Sequence, residues 1–431
     1  MIYLYRFFYN VLRFFAQALK PLFSQSLQNW LNLRQTDPQQ VLSNAMTADR
    51  NSTKKIKDTR LLFHASSGEI EYIKSLIREI KSQRPEIKLF VSYSSPSAEK
   101  LFSNIQDSVE AFMPLPWDRP CEITSFLDLL KPQALIFSRT DFWLELITQA
   151  KKKNIPLIGV SLFTANHPLG LLQKIWLRFV LKDFEFLTAV TEKTTQSFKN
   201  LFPSKEIYFF PDTRFDQVFH RLSQESKIPA AAQLALTANS PSKKKTIVFG
   251  STWPEDEAVL LPCLTALIEK NFQIIFAPHD VSPTRISSLQ KKMVHYKTIL
   301  FSDLLTTLPP PQFDILLLDR VGYLADMYRL SDYAFVGGSF KKKVHSVMEP
   351  LCAGNRVILG PYYHNNPEAV HYVTLADQSP IHVVHSREEF LAAIDLFNST
   401  PLAKDYIQSE MQKNQGASKS ICELILKKII R

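Results

Sequence analysis

The sequence predicts an α/β protein of two doubly wound, Rossmann-like domains facing each other, preceded by a helix that lies at a membrane. From Leu61 onward, short continuous apolar runs alternate with amphipathic helical stretches, the pattern of parallel strands covered on both faces. The alternation stops near His220 and restarts at Thr246, which makes two such domains rather than one. The first 23 residues differ from both in composition.

Met1 to Phe23 is apolar and aromatic, interrupted at Arg6, Asn10, Arg13, Gln17 and Lys20. Those five positions are spaced 4, 3, 4 and 3, one stripe of a helix. A transmembrane span needs roughly 20 uninterrupted apolar residues. The helix is therefore expected at the interface, with Phe7, Phe8, Phe14, Phe15 and Leu19 in lipid. No acidic residue precedes Asp37, so an anionic membrane surface is the expected partner. Two other readings compete. Ala16-Gln17-Ala18 has the form of a signal-peptidase site, although Arg13 breaks the apolar region that a signal needs; alternatively the helix packs on the protein's own core.

The expected division is residues 1–35 for the anchor, 36–221 for a first domain, 222–245 for a linker and 246–431 for a second domain. The first domain's strands are Leu61–Ala65, Lys88–Tyr93, Ala134–Ser138, Pro156–Leu162, Phe186–Val190 and Ile207–Phe210. The linker is rich in Ala, Ser and Lys and ends in Lys243–Lys245. The second domain's strands are Thr246–Ser251, Gln273–Ala277, Asp314–Asp319, Tyr333–Gly338, Arg356–Gly360 and Ile381–Val384, with terminal helices from Leu402 to Arg431.

Composition narrows the function. With 431 residues, 45% apolar and 21% charged, the chain has material for two cores and is not disordered. A net charge of +10 points to an anionic partner, yet no nucleic-acid motif accompanies it. Cys121, Cys263, Cys352 and Cys422 are too scattered for a zinc site. Ligands of doubly wound sheets bind at the carboxyl ends of strands. Seven of the ten glycines fall there or on the loops beyond, six of them in the second half, which makes that half the better nucleotide site.

Four segments carry chemistry. After the first strand, His64-Ala65-Ser66-Ser67-Gly68-Glu69 puts a carboxylate at a helix start, where it can serve as a general base or merely as an acidic first-turn residue. Phe249-Gly250-Ser251-Thr252-Trp253-Pro254-Glu255-Asp256-Glu257 is a strand-to-helix turn suited to a phosphate or simply to capping, and it is neither a Walker A nor a G-x-G-x-x-G sequence. Val336-Gly337-Gly338-Ser339, followed by Lys341–Lys343, His345 and Glu349, lets a ligand approach the backbone. A helix from about Val344 would set His345 and Glu349 on one face, with no third ligand for a metal. Asp212, Arg214 and Asp216 read from spacing alone as an interdomain salt-bridge cluster.

In this order H-A-S-S-G-E, D-T-R-F-D, G-S-T-W-P-E-D-E, L-D-R-V-G-Y-L, F-V-G-G-S, H-x-x-x-E and G-P, the chain resembles the Kdo (3-deoxy-D-manno-octulosonic acid) transferases. The resemblance implies a GT-B fold and inverting transfer of Kdo from CMP-Kdo to a lipid A precursor, with no cofactor and no essential metal. It further implies an acceptor-binding first domain, a nucleotide-binding second domain and a place on the cytoplasmic face of the inner membrane. Glu69 then matches the general base, with Ser67 and Gly68 beside it. Ser251, Thr252, His279, Gly322, Leu324, Gly337, Gly338, Ser339, His345 and Glu349 fall on the donor side. Arg139, Asp141, Asp212, Arg214 and Asp216 fall on the acceptor side or in the cleft. Three segments depart from the family: Arg139 stands where it has an acid, Pro278-His279-Asp280 lacks its arginine, and Val344 and Ser346 flank His345 where it has glycine and asparagine. His279, Arg285 and Lys341–Lys343 are the candidate replacement cations, the lysines favoured because they sit beside the glycine loop, unless that run is merely solvated. A paralogue with another donor or acceptor, or an inactive membrane-bound scaffold, is the alternative.

Overall fold

The computed structural model describes residues 1–46, 59–164, 169–238, 245–307, 312–375, 379–400 and 402–430. Lys243 and Lys244, residues 47–58 and part of the expected linker lie outside them.

The chain forms two compact units, residues 1–217 with 414–431, and residues 218–413. In the first, β1 (Arg60–His64), β2 (Lys88–Tyr93), β3 (Ala111–Pro114), β4 (Ala134–Ser138), β5 (Leu157–Leu162), β6 (Phe186–Ala189) and β7 (Glu206–Phe209) form one parallel sheet in the order 3-2-1-4-5-6-7. In the second, β8 (Lys245–Thr252), β9 (Phe272–Pro278), β10 (Thr298–Leu300), β11 (Ile315–Leu317), β12 (Tyr333–Val336), β13 (Arg356–Leu359) and β14 (Ile381–Val383) run parallel in the order 10-11-9-8-12-13-14. Each sheet has seven strands where six were expected. The additions, β3 and β10, are four and three residues long, too short to show periodicity.

Strand alternation builds a core on each face. In β1, Leu61 and Phe63 pack with Ile73 and Ile77 of the helix Ile70–Gln83, while Leu62 packs with Phe126 and Phe137 on the opposite face. Ile247, Phe249, Ile274 and Phe276 do the same work in the second unit, against Leu260 and Leu264.

The expected division needs two corrections. Residues 414–431 belong to the first unit, because the helix Ala417–Ile429 buries Ile421, Cys422 and Ile425 in that unit's core. The described part of the expected linker contains the end of one helix, Arg214–Ser223, and a second, Ala230–Ala238, joined by a non-helical stretch, with Ile228 and Ala232 buried.

The amino-terminal helix, Ile2–Ala18, forms as expected but turns Arg6 and Arg13 of its polar stripe onto the protein. Arg6 donates through Nε and Nη2 to the fully buried Glu145 at 2.9 and 2.8 Å. Tyr5 donates to Asp118 at 2.6 Å, and Arg13 lies over the Trp117 ring. The expectation that Arg6 and Arg13 face anionic lipid is therefore corrected. Ion pairing and cation–π contact hold them on the protein, leaving Phe7, Phe8, Leu12, Phe14 and Phe15 exposed. No described helix is long and apolar enough to cross a membrane.

Candidate active site

In each sheet the strand order reverses beside the central strand, at β1/β4 and at β8/β12. Loops at such switch points open the crevice in which doubly wound sheets bind ligands. The sequence-predicted residues cluster at both.

In the first unit, Ser67, Gly68 and Glu69 follow β1, and Arg139 and Asp141 follow β4. Ser138 Oγ donates to the Glu69 carbonyl at 3.1 Å, which ties the two loops. Glu69 immediately precedes the helix Ile70–Gln83; it is half-buried and makes no side-chain capping bond. Ser67 pairs with Ser97 at 2.6 Å, and Gly68 is exposed. Asp141 Oδ2 lies 3.0 Å from His64 Nε2 and accepts from Ser94 at 3.3 Å. Burial raises its pKa, but the hydrogen bond and charge of His64 outweigh this and hold it below the usual carboxylate range. His64 itself was only a motif letter in the sequence. Its full burial and its second bond, to Ser92 at 2.9 Å, make it the brace that sets Asp141.

Arg139, in the left-handed region at φ 60°, donates to the Tyr72 hydroxyl at 2.6 Å. The guanidiniums of Arg139 and Arg214 lie 4.2 and 4.4 Å from the Tyr72 ring centre, so one aromatic ring carries two cations. Asp212 is buried, and burial alone would raise its pKa. Arg214, paired to it at 2.9 Å, and Arg139 hold it lowered instead. These contacts lie within one unit and replace the expected interdomain cluster. Asp216 lies apart from them: its carboxylate accepts from the Gly416 and Ser418 amides at 2.6 and 2.7 Å, fixing the start of the last helix. It is removed from the acceptor side.

In the second unit the two glycine-containing loops are tied by one carboxylate. Asp256, fully buried, accepts from the amides of Trp253, Gly338 and Phe340 at 2.8, 2.7 and 2.9 Å. In the sequence it was merely a first-turn acid. Gly337 sits so close to Ser251 that a Cβ would lie 2.2 Å from the Ser251 carbonyl oxygen, and Gly338 needs φ +81°. Ser251 is itself left-handed, at φ 54°, where the β8–β9 register shifts.

Several donor-side expectations change. The Gly337 amide bonds Gly250, and the Gly338 and Phe340 amides bond Asp256, so these three do not cradle a phosphate. Ser339 is buried, donating to Val336 and accepting from the Gly360 amide, so it braces the loop from beneath. Thr252 is buried against Glu257 at 3.2 Å. Arg285 pairs with Glu257, which removes it as a donor-side cation. The helix expected from Val344 begins at Met348, so His345 lies in the preceding loop and does not share a helical face with Glu349. Glu349 pairs with Arg221 at 2.9 Å, and Arg221 reaches the Gly322 carbonyl at 3.4 Å. Leu324 opens the next helix, half-buried.

A stack of rings stands beside these loops. Trp253 stacks on His279 at 4.4 Å, His279 stacks on His345 at 4.8 Å, and Trp253 Nε1 donates to His345 Nε2 at 3.0 Å. Lys341 Nζ lies 3.3 Å from the Trp253 ring centre. Burial lowers the His345 pKa to about 4, assisted by the charges of His279 and Lys341. The accepted indole bond requires an unprotonated Nε2 and leaves the proton on Nδ1. His345 is thus expected to stay neutral throughout pH 5–8, and its NMR titration should show a midpoint near 4. A midpoint above 6 would contradict the stack. Since the folded pKa lies below the unfolded value, this group withdraws stability only as pH falls from about 6.5 toward 4.

Residues 39–217 match the family model described as 3-deoxy-D-manno-octulosonic-acid transferase (kdotransferase). The 3-deoxy-D-manno-octulosonic acid transferase of Aquifex aeolicus (strain VF5) is 26% identical over 318 residues, 73% of this chain and 79% of that protein. Its namesake from Rickettsia bellii (strain RML369-C) is 25% identical over 383 residues, 86% and 89% of the two chains. In fold, the chain is similar to UDP-GlcNAc 2-epimerase from Neisseria meningitidis, with a TM-score of 0.59 at 15% identity, covering 86% of this chain and all of that one. A glycosyltransferase from Rickettsia africae ESF-5 gives 0.57 at 12%, covering 86% and 99%. By class, then, the protein is a glycosyltransferase with two parallel-sheet α/β domains. Its relatives within that class are the Kdo transferases, and the resemblance read in the sequence is borne out.

Proposed function

We propose that the protein is an inverting transferase that moves Kdo from CMP-Kdo to a lipid A precursor in lipopolysaccharide biosynthesis. The observation that carries this reading is the pair of switch-point sites in a chain whose relatives bear the Kdo transferase name. Glu69 takes the proton of an acceptor hydroxyl while that oxygen forms a bond to the anomeric carbon. The bond from that carbon to the CMP phosphate breaks, and CMP leaves with the electron pair. Arg139 and Arg214 supply positive charge on the acceptor side. With three loop amides engaged, the donor's negative charge falls to Lys341 and the His345 Nδ1–H rather than to the glycine loop.

Incubation with CMP-Kdo and lipid A precursor, followed by mass spectrometry of the lipid, tests the whole reading. A gain of one or more Kdo masses is expected. No gain would favour the divergent paralogue or the inactive scaffold. On the donor side, Lys341→Gln is expected to weaken CMP binding and flatten its salt dependence, whereas Lys342→Gln and Lys343→Gln change little. Calorimetry at two ionic strengths checks this, and equal CMP affinity for Lys341→Gln and the parent would return Lys341 to the solvent.

Membrane association on the cytoplasmic face of the inner membrane belongs to the same proposal. Its support is the outward apolar face of the amino-terminal helix and a second helix, Leu171–Leu181. That helix exposes Leu171, Leu172, Ile175 and Trp176 beside the exposed Lys174 and Arg178. Serine at Phe7, Phe8, Phe14 and Phe15 together should release the protein from vesicles into the supernatant. Retention would place the attachment elsewhere.

A further inference from the structure

Buried side-chain nitrogens and oxygens are normally hydrogen-bonded, and each exception needs a reason. Among the described residues eight such atoms have no partner. Five of them, Arg13 Nε, Arg34 Nε and Nη2, Trp117 Nε1 and Glu122 Oε2, belong to residues that line one cavity of about 540 Å³ in the first unit. That volume lies in the ordinary range for small-molecule sites.

Arg34 is the principal observation. It is 2% exposed and sits 4.9 and 4.2 Å from the ring centres of Trp30 and Trp143. Its Nη1 donates to the carbonyls of Leu115 and Pro116, at 3.1 and 3.2 Å, which fixes the guanidinium plane. The remaining edge, Nε and Nη2, has no acceptor, although a guanidinium edge matches two oxygens of a phosphate. Arg13 Nε and the indole N–H of Trp117 are two more unmet donors on residues of the same lining.

The cavity is not simply cationic. Its charged lining residues are Arg13, Arg34, Asp37 and Glu122, a formal sum of zero. Glu122 Oε1 accepts from Arg119 at 3.0 Å, while Oε2 is buried and has no donor. The unmet groups are therefore four donor nitrogens and one carboxylate oxygen. A bare phosphate would meet the donors and be repelled by the carboxylate. A phosphate joined to a primary ammonium satisfies both sets.

We propose that this cavity binds a phosphoethanolamine group. The phosphate lies on Arg13, Arg34 and Trp117, and the ammonium lies on Glu122, with side-chain movements that open their unmet atoms, covered in this structure, to the ligand. Two sources share that chemistry, a phosphatidylethanolamine headgroup and a soluble phosphoethanolamine ester. The lipid is favoured because Arg13 belongs to the amino-terminal helix, whose other face is exposed and apolar. That preference rests on the membrane reading above; the chemistry of the cavity does not.

The test uses the full chain without any CMP-sugar, so it stands or falls apart from transfer. Soluble glycerophosphoethanolamine, glycerophosphocholine and inorganic phosphate are titrated while Trp fluorescence and ligand NMR are followed. Glycerophosphoethanolamine is expected to bind about tenfold or more tighter than the other two, since a quaternary ammonium cannot donate to Glu122 and phosphate lacks the cation. Glu122→Gln should erase the preference over glycerophosphocholine, and Arg13→Gln should weaken both esters. Equal binding of all three ligands, tighter binding of phosphate, or unchanged binding in both variants would overturn the assignment. Co-sedimentation with phosphatidylcholine vesicles, with and without phosphatidylethanolamine, separates the sources. A preference lost in Glu122→Gln supports the lipid, and its absence overturns the lipid as source. Both substituted side chains are partly solvent-exposed, so folding is retained; thermal melts of the variants check this.

Discussion

Glu69→Gln is expected to lower turnover about 10²–10⁴-fold, the usual consequence of removing a general base, while CMP affinity stays at the parent's value. The side chain keeps its shape and loses only basicity. No side-chain capping bond anchors this carboxylate, and only its carbonyl is tied down, by Ser138. Little stability should therefore change with it. Single-turnover rates with lipid acceptor, measured beside CMP calorimetry, check both halves. A variant within threefold of the parent would remove Glu69 from the chemistry.

The second large effect is expected at Asp256. Alanine there leaves the amides of Trp253, Gly338 and Phe340 without their acceptor, the Gly338 one buried and the other two partly so. At ~1–3 kcal/mol for a buried group left unpaired and less for the two that water can reach, the second unit should lose roughly 2 kcal/mol or more. The two donor-side loops would also lose their only shared carboxylate among the described contacts, so CMP affinity should fall about tenfold or more. Asparagine can still accept through one oxygen and should retain part of both properties. Urea unfolding of the second unit together with CMP calorimetry measures them. Undiminished CMP binding in Asp256→Ala would show that the loops hold their places without it.

Much of the fold was legible because buried parallel strands are written as continuous apolar runs, and twelve of the fourteen strands carry that signature. The remaining two, β3 and β10, are edge strands of four and three residues, with only one side-chain neighbour strand to satisfy. The sites were legible as positions at strand ends. Their internal wiring was not, because hydrogen bonds between distant residues leave no local pattern. Asp256 looked like any first-turn acid, and His64 like the end of a strand. Asp216 gave the opposite error: a charged motif read as a ligand site is in fact a cap for a helix 200 residues away. The amino-terminal stripe had the right period, but periodicity says nothing about which face meets the protein. The buried acceptors Glu145 and Asp118 decide that.

The return of residues 414–431 to the first unit alters the order in which the protein can be made. A nascent chain presents its amino-terminal portion first, and domains generally fold as they leave the ribosome. Here the hydrophobic side of the helix Ile70–Gln83 must wait for Ile421, Cys422 and Ile425, which are synthesised after the whole second unit. The second unit, encoded in the middle, has all its residues available earlier. Synthesis order and completion order are thus reversed. A nonsense codon near residue 414 would leave the second unit's sequence intact while stripping a helix from the core of the first, and such a fragment would expose the apolar surface that recruits chaperones.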